Sequence, residues 1–103
     1  MNNSLSKNLI LVAEYAGDRK YTLELDTLLP GYHYHSSIEW WYPVYQKIHS
    51  YMTHILPEVS IDPYRKMKLV GAFNKIQLSL TDAASISSLF DVLVIWIKIY
   101  NHP

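Results

Sequence analysis

Histidine is the side chain with most chemical reach in this chain, and five of them occur. His33 and His35 lie in the stretch Gly31-Tyr32-His33-Tyr34-His35-Ser36, so an extended backbone would point both imidazoles to the same side. Two imidazoles on one face make half of a metal site, and His49 or Glu39 could add ligands after folding. The spacing nevertheless matches no recognised metal signature. His49 and His54 are five apart, which places them on different faces of a helix. Loop histidines beside tyrosines serve far more often as surface hydrogen-bonding groups, so no metal and no other cofactor is expected.

Nucleophilic chemistry has less support. No serine sits in a glycine-flanked elbow, and three scattered glycines make no phosphate-cradling loop. Cysteine is absent, which removes thiolate nucleophiles, disulfides and cysteine-ligated zinc together and suits a reducing cytoplasm. Glu24 and Asp26 fall on the solvent side of an alternating segment, where a hydrated face is the default. No catalytic residues are assigned, and the chain is expected not to be an enzyme.

A basic cluster carries more weight. Arg65, Lys66 and Lys68 follow Tyr64, and Lys75 could join them across a hairpin. Residues 63–103 hold five basic against two acidic side chains, so overall neutrality hides an uneven layout. Strand-borne cations beside an aromatic ring can bind single-stranded RNA by phosphate contact and stacking. The plainer reading is a charged edge strand whose lysines block sheet-to-sheet pairing, and that reading is favoured.

These groups must be positioned by a few elements. Leu9, Val12, Ala13 and Ala16 follow helical spacing and Gly17 stands where a C-cap glycine would, so a short N-terminal helix is preferred over a buried strand. Lys20 to Asp26 alternates, with Tyr21, Leu23 and Leu25 on one face, as a half-exposed strand does. Ser36 and Glu39 have capping-box spacing at the start of a central helix. Trp41, Val44, Tyr45, Ile48, Met52 and Ile55 form its apolar stripe. Pro43 should kink that helix, and Pro57 should end it.

Beyond it, Val59 and Ile61 alternate with polar neighbours. Met67, Leu69 and Phe73 share odd numbers, whereas Ile76, Leu78 and Leu80 share even ones. A period-2 strand cannot change face without a turn or bulge, so a hairpin or bulged pair around Gly71 and Asn74 is predicted. Thr81 or Asp82 should cap a last helix with the stripe Ile86, Leu89, Phe90, Leu93, Val94, Ile97 and Tyr100. Val92, Ile95, Trp96 and Ile99 widen the stripe until little polar surface remains. Deep burial on all sides is hard to arrange in a small chain, so an intermolecular contact is expected there. The fold class predicted is α+β in a single domain, 1–103. An antiparallel sheet of three to four strands packs against two main helices, 36–54 and 83–100.

Composition narrows the function classes. Half the residues are hydrophobic and 17% are charged, as in a globular domain rather than a disordered chain. Nine basic residues balance nine acidic ones, and zero net charge gives no field for generic DNA or acidic-membrane binding. It also lessens self-repulsion, so a partner or a homodimer is a fair expectation. Residues 86–100 contain Asp91 and Lys98 and fall short of a membrane span, and no signal layout precedes residue 6. Nine tyrosines and three tryptophans fill a core first, but such residues are also enriched where proteins meet.

The run Tyr34-His35-Ser36-Ser37-Ile38-Glu39-Trp40-Trp41-Tyr42-Pro43-Val44-Tyr45-Gln46-Lys47-Ile48 resembles a small family common in phages and prophages. Its pattern is Y-H-(S/T)-S-W-D-W-L-M-P-V-V-E-K-I, followed by a last helix ending near E-F-I-K-W-Y-N. Tyr34, His35, Ser36, Ser37, Trp40, Pro43, Val44, Lys47 and Ile48 match, and later Ile97, Lys98, Tyr100 and Asn101. Where the pattern has glutamate this chain has Gln46 and Ile95, and where it has tryptophan it has Ile99. The resemblance implies an anti-defence protein of anti-CRISPR type, acting in the cytoplasm of a bacterial host. Such a protein would bind a host CRISPR effector nuclease, an RNA-cutting one first, and block its guide or target RNA. The residues expected at that contact are Tyr32, Tyr34, Trp40, Tyr42, Ile95, Trp96 and Ile99. The rival functions are an RNA-binding module using Tyr64, Arg65, Lys66, Lys68 and Lys75, and a housekeeping homodimer.

Overall fold

The structure is a computed structural model in which residues 3–17 and 32–102 are described. Among them it contains helices and no strands. Helix α1 spans Asn3–Ala16 and helix α2 spans Ile38–Ser50. A π-helical turn, Tyr51–Ile55, and a 3-10 turn, Leu56–Glu58, continue α2. Helices α3, Pro63–Thr81, and α4, Ile86–Asn101, complete the fold. The α+β class is therefore overturned: the chain is all-helical over the described residues. The strand read at Lys20–Asp26, with Glu24 and Asp26, lies outside them.

Residues 67–80, for which a hairpin or bulged pair around Gly71 and Asn74 is predicted, belong instead to helix α3. Asp62 caps the N-terminus of α3, its carboxylate accepting from the Arg65 backbone N–H at 3.3 Å, and Pro63 occupies the first turn. Proline fits there because its missing N–H would have had no helical partner. The buried positions are Leu69, Ala72, Phe73 and Ile76, which is i, i+3, i+4, i+7 spacing. The odd-to-even switch is thus the mark of a 3.6-residue period, not of a turn. Gly71 is helical and exposed, as is Asn74.

Two further expectations fail in detail. Helix α2 starts after Ser37, whose backbone is extended, and no side chain caps it, so the Ser36–Glu39 box does not form. The last helix is capped by Ser85, whose Oγ accepts from Ser88 N–H at 3.2 Å, rather than by Thr81 or Asp82. Thr81 instead donates its hydroxyl to the Gln77 carbonyl at 3.0 Å.

Prolines behave mildly. Pro43 lies inside α2 without ending it. Ahead of Pro57 the helix widens, and Leu56 N–H reaches the Tyr51 carbonyl five residues back. A wider turn relieves the clash between a proline ring and the carbonyl four residues earlier. Leu56 therefore stays helical, and the chain leaves the helix at Val59, φ −89° and ψ 145°. Gly17, at φ +82°, follows α1 as the expected C-terminal glycine.

Helix α4 is the core element and touches α1, α2 and α3. Four residues separate α3 from α4, and the Arg65 guanidinium donates to the Tyr100 carbonyl, so the two run antiparallel. Leu89, Phe90, Leu93, Val94, Trp96 and Ile97 are all buried. These six form one broad buried face, while Ser88, Asp91, Ile95 and Lys98 stay exposed along the other side of the helix. Trp41 of α2 anchors to the same element, donating its indole N–H to the Leu89 carbonyl at 3.0 Å. No described helix is long and apolar enough to cross a membrane.

Candidate binding surface

The residues expected at a partner contact do not form one surface. Trp96 is fully buried, and Tyr32 and Tyr34 are buried as well. Tyr32 and Tyr34 pack on the ring of Trp40, with centroids 6.5 and 5.2 Å away. Trp40 and Ile99 are half-buried. Only Tyr42 on α2 and Ile95 on α4 stand well exposed, at 46% and 47%. Tyrosine-rich composition thus went mostly into packing. The three buried residues are unavailable to a partner in this conformation.

Trp96 sits inside an aromatic cluster. Tyr100 stacks on it at 5.3 Å, and Tyr15 and Tyr51 meet both rings edge-on. Burial pushes the Tyr15 hydroxyl pKa far above its ordinary value, with Tyr100 and Tyr51 adding to the rise. Tyr51 is shifted the same way, by burial first and Tyr100 second, while Arg65 opposes it. Lys47 lies over the Tyr15 ring, 4.7 Å from its centroid, and donates to the Tyr15 carbonyl. These contacts tie α1, α2 and α4 together.

Two of the histidines pack on aromatic rings. His35 packs against Phe90 and His49 against Phe73 and Tyr45, at ring-centroid distances near 6 Å. Among the described residues no three metal-ligating side chains converge.

The exposed apolar residues that matter were hidden by the strand reading. Helical turns place Tyr64, Met67, Gly71, Asn74 and Leu78 on the outward face of α3, with Val70 at its edge. Tyr64, Met67, Val70 and Leu78 are 60%, 63%, 40% and 61% exposed. Lys68 and Lys75 flank the opposite edge of the face. Helix α3 contains four basic side chains and no Asp or Glu. A 3.6-residue template applied to residues 63–81 would have found this face. Gly71 lies at its middle with open space around it, so among the described residues no side chain covers the helix there.

At the N-terminal end of α3 a recess of about 390 Å³ opens between α3 and the end of α4. Asp62, Tyr64, Arg65 and Lys68 line it from one side and Lys98, Ile99 and His102 from the other. The antiparallel pairing of α3 with α4 brings Lys98 and His102 to the predicted basic cluster. Lys75 and Lys66 are not part of the lining. Lys68 holds its ammonium 4.9 Å above the Tyr64 ring.

No known protein family, curated protein or solved structure matches this chain.

Proposed function

We propose that this protein is a non-enzymatic binding protein that acts by stoichiometric contact through the outward face of α3. The observation that carries the reading is the row of exposed apolar side chains, Tyr64, Met67, Val70 and Leu78, on a helix that buries Leu69, Ala72, Phe73 and Ile76 on its opposite side. Exposed apolar surface of this kind, rimmed by polar groups, marks interaction sites. Covering each such side chain is worth on the order of 1 kcal/mol. The excess of cations on α3 suits a partner with an apolar strip and an acidic rim.

The resemblance of residues 34–48 to a phage family supports a host RNA-guided nuclease as the partner, an RNA-cutting effector first. A face bearing lysines does not mimic nucleic acid. Inhibition on this reading works by covering a protein surface that the nuclease needs to use its guide or target RNA.

The test is inhibition of target-RNA cleavage by a purified effector, with capture of the complex at measured stoichiometry. Wild-type protein should inhibit at near-equal amounts, and Met67→Glu with Leu78→Glu should abolish both inhibition and capture. Both positions are exposed, so the fold should survive. Full inhibition by the double variant would reject the α3 face, and no inhibition by wild-type protein would reject this class of target.

A further inference from the structure

The recess between the start of α3 and the end of α4 has a composition that a helix junction alone does not require. Arg65, Lys68, Lys98 and His102 surround it, and among the described residues the only acid in its lining is Asp62. Asp62 already serves as the helix cap, accepting from the Arg65 backbone N–H. The two helix ends that meet here carry about half a charge each, of opposite sign, and cancel. Three permanent cations against one acid leave the recess with roughly two positive charges.

A lysine and a histidine at the end of α4 would by themselves be ordinary partners of a helix C-terminus. That explanation does not extend to Lys68, which comes from the other helix and leans over a tyrosine ring. Arg65 is fixed in the floor by its bond to the Tyr100 carbonyl, so its charge stays in place. The Tyr64 ring forms a wall that is 60% exposed. Its contact with Lys68 is a surface cation–π pair, which is weak enough to exchange for a stacked base.

We propose that this recess binds a nucleotide, with the phosphate held by Lys68 and Lys98 over the Arg65 floor and the base stacked on Tyr64. A volume of about 390 Å³ lies within the range of small-ligand pockets. The nucleotide could be free or a unit of single-stranded RNA, since both present one phosphate beside one base. Zero net charge excludes generic attraction to long nucleic acid but does not affect a local site of this size. The proposal does not depend on the protein partner assigned to the outward face of α3.

Two probes separate the sources: adenosine 5′-monophosphate by calorimetry, and an eight-nucleotide single-stranded oligoadenylate by fluorescence anisotropy. Lys98→Gln should weaken binding roughly tenfold, and for the oligonucleotide it should lower the salt slope by about one. Tyr64→Ala should weaken it roughly tenfold through lost stacking. Lys75→Gln, on the same helix but outside the recess, should change affinity by less than about twofold. All three positions are at the surface, and circular dichroism confirms that each variant is folded. Binding of the mononucleotide supports a free-nucleotide site, and binding of the oligonucleotide alone supports a unit of RNA. Binding of neither by the wild-type protein overturns the proposal. So does a Tyr64→Ala variant that binds as well as wild type, which would leave only an anion site. A Lys75→Gln loss equal to that of Lys98→Gln overturns it too, by showing diffuse attraction to α3.

Discussion

Helices α3 and α4 lie against each other and divide the apolar side chains in opposite ways. Helix α4 is the more hydrophobic by far, yet Ile95 is its one large apolar side chain well exposed. Helix α3 is balanced in composition, yet it exposes Tyr64, Met67, Val70 and Leu78. How apolar a segment is therefore does not locate a contact surface. What decides is whether the domain has another element to lay over each face. Helix α4 has α1, α2 and α3 packed against it. Helix α3 packs on α4 and, through Phe73, on Tyr45 and His49 of α2, and among the described residues nothing covers its outward face at Gly71.

The comparison breaks most easily at Trp96. If α4 is a core element, Trp96→Ala should cost about 3–5 kcal/mol, enough to unfold much of a marginally stable domain. Ile95→Glu, one residue earlier, should stay within about 0.5 kcal/mol of wild type in urea denaturation. A reading that places both residues on one contact surface expects small effects from each. Equal, small losses would therefore overturn the assignment of α4 to the core.

A second break comes from pH. Tyr15 has its pKa raised in the folded state, so the folded state favours the neutral hydroxyl. Stability from this source is complete below the unfolded value of 10.0 and is lost as pH rises beyond it. Thermal melts from pH 8 upward should show a fall in Tm that begins near pH 10. Tyr15→Phe should flatten that fall while leaving the neutral-pH melt nearly unchanged, and an unaltered alkaline slope would count against the cluster. Because Tyr15 belongs to α1, the same measurement tests whether α1 is seated against Trp96.

How far these features were legible in the residues follows from the same contrast. The stripe Leu89, Phe90, Leu93, Val94 and Ile97 announces α4, since a long apolar run leaves few alternatives. Leu9, Val12 and Ala13 likewise pointed to α1, and Gly17 to its end. In α3 the buried set includes Ala72, a small residue that a search for large apolar side chains passes over. Without Ala72 the set reads as alternation with a shifted phase, and a hairpin appears. The Asp62-Pro63 pair is a helix-start signal of equal strength to the one sought at Ser36. The basic recess could not be foreseen, because Lys98 reaches Lys68 only through an antiparallel helix pair. Burial of Tyr32, Tyr34 and Trp96 is also a tertiary fact: an aromatic ring packs or protrudes according to its neighbours.

The helix caps provide a smaller and more local test. Asp62→Ala and Ser85→Ala each remove a side-chain acceptor from a first-turn N–H, and each should cost about 1 kcal/mol. Ser36→Ala, at the box that does not form, should cost clearly less. Chemical denaturation of the three variants side by side would show it. A Ser36→Ala loss matching the other two would mean that α2 begins earlier than the Ser37 boundary.

Gly71→Ala carries the smallest expected change in stability and the sharpest bearing on the two helices. Gly71 is an exposed position in the interior of a 19-residue helix, and a Cβ there meets nothing within 4 Å. Alanine should therefore raise stability by roughly 0.5–1 kcal/mol, through helix propensity alone. That corresponds to a Tm increase of about 2–8 °C for a domain of this size. The same methyl group stands at the centre of the face assigned to a partner, so binding should weaken while the fold gains. A variant that is both more stable and equally competent in binding would move the contact away from the middle of α3. A less stable variant would mean that Gly71 is covered within the domain, and that α3 has no free face to offer.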